Sequence, residues 1–130
     1  MAAAVRWDVQ TIRESYIKNI NMNWKEFTTE EALEDIKKRS VEKPQVIFKH
    51  STRCSISSMA KSRLERASLP EGIEFNYLDL IAHRNVSSKI AEEFDVEHAS
   101  PQVLIIKDGK CIYDESHSAI SMDEIVEAAE

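Results

Sequence analysis

Only two glycines, Gly72 and Gly109, occur among the 130 residues. A loop that cradles phosphates or a dinucleotide needs several Cβ-free positions within a few residues, so nucleotide-binding fingerprints are excluded. Long apolar runs are missing too: nothing approaches the ~20 residues that span a bilayer. Met1–Val5 is followed at once by Arg6 and Asp8 and is too short for a signal-peptide core. No membrane association is expected, and the expected location is cytoplasmic. There is no basic run, and the formal charge of −6 at pH 7 sets the net field against nucleic acid, which is not an expected partner. The two cysteines, Cys54 and Cys111, are too few for a disulfide framework. Four histidines (His50, His83, His98 and His117) make a metal site conceivable by composition alone. No Cys-x-x-Cys or His-x-x-x-His spacing brings two ligands together, so no metal is expected.

What remains is globular material for one domain: 42% apolar and 31% charged residues, with no repeats or low-complexity stretch. Val5, Val9, Ile12, Tyr16 and Ile20 recur at helical spacing and predict an N-terminal amphipathic helix within residues 1–21. Residues 22–27 read as a brief extended segment. Thr28 and Glu31 form a capping-box pattern that opens a helix through about Arg39, with Ala32, Leu33 and Ile36 on one stripe. Residues 45–49 are a β-prone run after Pro44. A polar loop over His50–Arg53 leads to a second helix, with Ile56, Met59, Ala60 and Leu64 at helical spacing to about Ala67. Another strand begins near Ile73 and ends near Asp79 and Leu80, and a further helix runs from Ser87 or Ser88 to Phe94. Val103–Ile106 is a continuous apolar run, as in a strand covered on both faces. Asp108-Gly109 is a hairpin signal, residues 110–113 return, and Ser121 with Glu124 caps a last helix.

From Trp24 onward the order is β-α-β-α-β-α-β-β-α. Alternation predicts a parallel sheet with helices on both faces, to which the hairpin adds an antiparallel edge. With a cysteine at the second strand-to-helix junction and a proline just before the fourth strand, this α/β order is thioredoxin-like, a central mixed sheet. Trp7, Trp24 and the methionines read as core or helix-docking groups, and the acidic residues 123–130 as a solvated helix face.

Cys54 carries the chemical reading. A helix beginning there offers unpaired N–H groups and a dipole that favour a negative sulfur, with Arg53, and His50 or Lys49, as nearby positive charge. A thiolate is the nucleophile of disulfide exchange. Ser57, one turn along, is placed to donate a hydrogen bond to it. The plainer alternative is a small buried residue at a helix start, since cysteine is often buried without chemistry. Pro101 stands immediately before the apolar strand, where a thioredoxin-like sheet brings its loop beside Cys54. A cis Ser100–Pro101 bond would present backbone groups to an extended thiol substrate, whereas a trans proline would simply start the strand. A Cys54–Cys111 disulfide is excluded by reach. The strand rises ~3.3 Å per residue, which puts the hairpin on the order of 20 Å from the Cys54 end, and bridged Cα atoms lie within ~7 Å. Cys111 then reads as a packing residue. The returning strand brings Glu115, Ser116 and His117 back toward Cys54, where His117 either tunes the thiolate or contacts a thiol ligand, or is a solvent-facing loop residue.

Residues 49–57, Ser100–Gln102, Lys107–Lys110 and Glu115–His117 together resemble the monothiol bacilliredoxins, the YtxJ-like proteins. The resemblance covers residues 22–130 and leaves residues 1–21 as an extension, either a genuine added helix or the product of an early start codon. It implies a thioredoxin-fold disulfide reductase acting on mixed disulfides between proteins and bacillithiol. Cys54 is then the attacking cysteine, Ser57 stands where dithiol relatives have a second cysteine, and Pro101 is the cis-proline. Thr52, Arg53, Ser100, Gln102 and His117 are the implied substrate-binding positions. No bound cofactor is implied; the low-molecular-weight thiol is co-substrate, and S-thiolated proteins are the partners. The family often has proline after the cysteine. Ser55 stands there instead, which keeps the nucleophile but bears on reduction potential and on the rigidity of the helix start.

Two other classes compete. A monothiol glutaredoxin-like protein would bind glutathione or an iron–sulfur cluster, but such relatives typically carry Gly-Phe between cysteine and serine, where this chain has Ser55-Ile56. The other is a non-catalytic thioredoxin-like stress or binding module with an inert Cys54, distinguishable by thiol reactivity against pH.

Overall fold

The computed structural model describes residues 23–130. The expected helix of residues 1–21, Trp7 included, lies outside the described residues. Five strands form one sheet in the order β1-β3-β2-β4-β5. They are β1 (Lys25–Glu26), β2 (Gln45–His50), β3 (Glu74–Asp79), β4 (Gln102–Lys107) and β5 (Lys110–Ser116). Among the described residues four α-helices connect or close them: α1 (Glu31–Arg39), α2 (Ser55–Arg66), α3 (Arg84–Phe94) and α4 (Met122–Ala129).

Strand alternation divides the interior into two cores. Val46 and Phe48 of β2, Phe75 of β3, and Val103 and Ile105 of β4 meet Ala60 and Leu64 of α2 and Ile125 and Ala129 of α4. Ile47, Leu78, Leu104 and Ile106 point the other way, onto Leu33 and Ile36 of α1 and Val86, Ile90 and Phe94 of α3. Helices therefore cover both faces, as the unbroken apolar run of β4 requires. Trp24 docks beside β1, stacked on Phe48 at 5.5 Å between ring centroids, and its indole N–H donates to Glu65 at 2.9 Å.

The direction of β4 corrects the expected parallel arrangement. β1 and β2 each run parallel to β3, but β4 runs antiparallel to β2, so reversal begins at β4 rather than at the hairpin. The cause is the segment after α3. Asp95 adopts a left-handed conformation at the helix end, and residues 95–101 carry the chain to the end of the sheet where β2 finishes, so that Gln102 pairs with Lys49.

Local signals fare unevenly. Asp108 and Gly109 both have positive φ, 52° and 76°, as a tight twisted hairpin demands. Ser121 Oγ accepts from the Glu124 N–H at 3.2 Å, the first half of the expected capping box. At α1 the threonine cap is shifted by one residue: Thr29 Oγ1, not Thr28, accepts from the Ala32 N–H at 3.3 Å. α3 begins at Arg84, about one turn earlier than Ser87 or Ser88, because Val86 joins Ile90 and Phe94 on the buried stripe although the first turn has no side-chain cap. In β5, Ile112 has no partner in the register with β4. This bulge lets Tyr113 pack on one core and Cys111 on the other, although they are two residues apart.

Candidate active site

Cys54 is the N-cap of α2, with extended backbone (φ −110°, ψ 123°). Its N–H donates to the Ser51 carbonyl at 3.2 Å, and its own carbonyl accepts from the Ser58 N–H at 3.0 Å. The turn over residues 51–54 thus sets the sulfur at the mouth of the helix, half-buried and free of any disulfide. Thr52, Arg53, Ser55 and Ile56 around it are exposed.

Ser57 is fully buried, and its hydroxyl is occupied away from the sulfur. Ser57 Oγ lies 2.6 Å from His50 Nδ1 and accepts from the Ser51 N–H at 3.0 Å. Among the described residues no hydrogen bond joins Ser57 to Cys54, so the expected donor is instead a pin between the first turn of α2 and the end of β2. His50 belongs to the strand and not to a polar loop. It is buried between Phe48 and Tyr77, at 5.7 and 5.6 Å between ring centroids. Burial pushes its pKa below the ordinary histidine value, Lys61 adds to that, and Asp79 and Glu65 oppose it. A neutral imidazole is favoured, and the positive charge expected from His50 is absent.

Lys49 is likewise withdrawn. Alternation turns it to the α3 face, opposite His50, and it is completely buried. Burial pulls its pKa down from 10.5 to about 8. Its ammonium lies 3.2 Å from His98 Nδ1. Of the cationic side chains expected beside Cys54, Arg53 alone stays on the exposed loop.

The second wall comes from β4. The Ser100–Pro101 peptide is cis, and the buried Pro101 precedes Gln102, whose strand partner is Lys49. The Pro101 carbonyl accepts from the His117 N–H at 3.0 Å. His117 has φ of 58° and opens a 3₁₀ turn, His117–Ala119, that packs against α2. β5 therefore does return His117 to the Pro101 loop, with its side chain exposed. Gln102 is placed differently. It faces the Lys49 side, is 2% exposed, and donates from Nε2 to the Glu97 carbonyl at 2.9 Å. Ser100 Oγ is buried without a partner among the described residues. Cys111 pairs with Ile106, whose other neighbour is Gln45 at the far end of β2. That strand puts about 16 Å between the ends of the sheet at ~3.3 Å per residue. Burial raises the Cys111 pKa, and its thiol donates to the Tyr113 carbonyl at 3.3 Å. Among the described residues no three His, Cys, Asp or Glu side chains cluster as metal ligands, and no helix is long and apolar enough to cross a membrane.

Sheet order, the cysteine at the helix N-cap and the adjoining cis-proline loop define a thioredoxin fold. One solved protein with a thioredoxin fold superposes at a TM-score of 0.75, with 23% identity over 88% of this chain and 98% of the other. Thioredoxin from Malassezia sympodialis superposes at 0.62, with 14% identity over 82% and 88% of the two chains. The long form of spinach chloroplast thioredoxin f also reaches 0.62, with 16% identity over 88% and 90%. The model of the monothiol bacilliredoxin family BrxC matches residues 25–125, and the chain belongs to that family. It is by class a thiol oxidoreductase.

Two stability outcomes follow. Ser57→Ala strands the buried His50 nitrogen and Ser51 N–H and lowers the unfolding free energy by about 1–3 kcal/mol in urea titration. Loss of less than a few tenths would contradict the pin. In the unfolded chain Lys49 holds its proton up to its ordinary pKa of 10.5, so folding becomes more favourable as pH rises from about 8 to 10.5. Lys49→Met removes that rise: it stabilises by about 1–3 kcal/mol at neutral pH, and its advantage shrinks through the same window. A constant difference across pH would contradict the buried-ammonium assignment.

Proposed function

We propose that this chain removes a low-molecular-weight thiol, bacillithiol in the reading that its family supports, from mixed disulfides on proteins. The supporting observation is the isolation of Cys54: a half-exposed sulfur at a helix start, where the dipole favours negative charge, with Ser57 at the position one turn on. In the first step the Cys54 thiolate attacks the small-thiol sulfur of the mixed disulfide. The old S–S bond breaks, the protein sulfur leaves and takes a proton, and a new disulfide joins Cys54 to the small thiol. Ser57 cannot expel that adduct. A second small-thiol molecule attacks the same disulfide, frees Cys54 and leaves as the oxidised small-thiol dimer. The reducing equivalents come from the second small thiol, the only sulfur that passes from thiol to disulfide level over the cycle, and its proton balances the one taken up by the protein thiol.

Protein-sized substrates are supported by the surface beside the sulfur. Ile56 and Met59 stand one helical turn apart on α2, 50% and 62% exposed, and offer apolar contact to a polypeptide. Thr52 and Arg53 on the loop, and the Pro101–His117 backbone contact opposite, flank the position where the small thiol would sit. In this reading the soluble thiol is a co-substrate consumed in each cycle.

A test protein carrying the mixed disulfide provides the check, with small-thiol release followed by mass spectrometry. Cys54→Ser is expected to release it no faster than buffer, while wild type completes one turnover alone and further turnovers only with added small thiol. Replacing Ile56 and Met59 together by serine should slow the protein substrate about tenfold, the kinetic equivalent of about 1.4 kcal/mol, and leave a small disulfide unaffected. Wild-type release by Cys54→Ser would refute the assignment.

A further inference from the structure

On the α3 face of the sheet, beyond the ends of β2 and β3, lies an open cavity of about 340 Å³, with Leu80 and Ala91 as its apolar walls. Its polar lining is Arg84, Ser87, Ser88 and His98. Behind His98 sits the Lys49 ammonium, 0% exposed and 3.2 Å from His98 Nδ1. Among the described residues neither Lys49 nor Arg84 has a carboxylate within ion-pair distance. Asp79, where β3 ends, turns one carboxylate oxygen, Oδ1, to the N–H groups of Ile81 and Ala82. A buried ammonium behind His98 and an exposed guanidinium beside it therefore face one concavity, and for the buried Lys49 the lack of a counter-charge costs free energy until an anion enters.

The hydrogen bonds orient the site further. An ammonium can only donate, so Lys49 requires His98 Nδ1 to be an acceptor, and the imidazole proton of neutral His98 must reside on Nε2. The Ser87 hydroxyl lies 3.4 Å from the same Nδ1. Burial together with the charges of Lys49 and Arg84 holds the His98 pKa below its ordinary value, which keeps the ring in this neutral form. His98 thus turns a buried positive charge into a directed N–H donor, beside the Arg84 guanidinium and two serine hydroxyls. Donors of this kind, without acceptors of negative charge among them, suit oxygens that carry negative charge.

We propose that this cavity is a binding site for a small oxyanion, a carboxylate or a phosphate, held by Arg84 and His98 with Lys49 fixing the imidazole from behind. The Leu80 N–H donates to the His50 carbonyl at 3.0 Å, so the cavity opens at the same end of the sheet as the Cys54 turn. Two sources share this chemistry: a carboxylate carried by the small thiol that reacts at Cys54, which rests on the proposed function, or free phosphate, which does not.

The test is a titration of the full-length protein with succinate, and separately with inorganic phosphate, at constant ionic strength. The ring resonances of His98 are followed by NMR, and nitrogen shifts report the tautomer. The wild-type ring is expected in the Nε2–H form, with a saturable shift. Arg84→Gln, on an exposed side chain, should weaken binding about tenfold. Lys49→Met should weaken it as well and release the tautomer preference. Tighter binding of succinate supports the carboxylate source, and tighter binding of phosphate supports the free anion. No saturable shift with either anion, or one unchanged in Arg84→Gln, overturns the site. Because the readout does not involve Cys54, such a failure would leave thiol removal from the test protein intact, and failure of that activity would leave the titration intact.

Discussion

β2 is buried along its whole length, yet it ends in two basic residues, and the pleat must send them to opposite faces. Much of the active end follows from that constraint. His50 goes to the α2 face, where an apolar and aromatic setting keeps it neutral and its ring nitrogen fastens Ser57. Lys49 goes to the α3 face, where no carboxylate meets it among the described residues and His98 is its polar partner. One strand end thereby shapes both the turn that carries Cys54 and the cationic concavity on the other side. Exchanging the faces by a one-residue register slip would break both arrangements together.

The serine one turn after the cysteine has two consequences. It removes the second sulfur that would make an intrachain disulfide, and its hydroxyl locks helix α2 to β2 through His50 and Ser51. The remaining thiol, Cys111, is held at the other end of the sheet by the bulge at Ile112 and engaged with a carbonyl. In the proposed cycle Cys54, with no second sulfur nearby, holds what it captures until a soluble thiol removes it, which ties that cycle to the pool of small thiols.

Much of this was legible in the chain because its signals are local. Asp108-Gly109, the Ser121 cap, the β-prone run ending at Lys49 and the apolar run of β4 each encode their own geometry within a few residues. The direction of β4 was not legible, because it depends on where residues 95–101 deliver the chain, and alternation of strands and helices cannot report that. Position in the chain makes Lys49 or His50 a candidate positive neighbour of Cys54 beside Arg53. Their charge is settled by burial and by the face they occupy, and both are tertiary properties. Ser57 followed the same pattern: its spacing from Cys54 was visible, but its partner His50 lies seven residues back, on a strand whose end the sequence placed one residue early. The Lys49–His98 pair joins residues 49 apart and left no mark in the sequence beyond a lysine that follows the apolar Val46–Phe48 run.

The most direct measurement is peptide mapping after the full-length protein is treated with a disulfide of a small thiol. The account predicts one adduct per chain, on Cys54, stable until free thiol is added, with Cys111 unmodified. A Cys54–Cys111 disulfide, or an adduct on Cys111 forming as fast as one on Cys54, would contradict it.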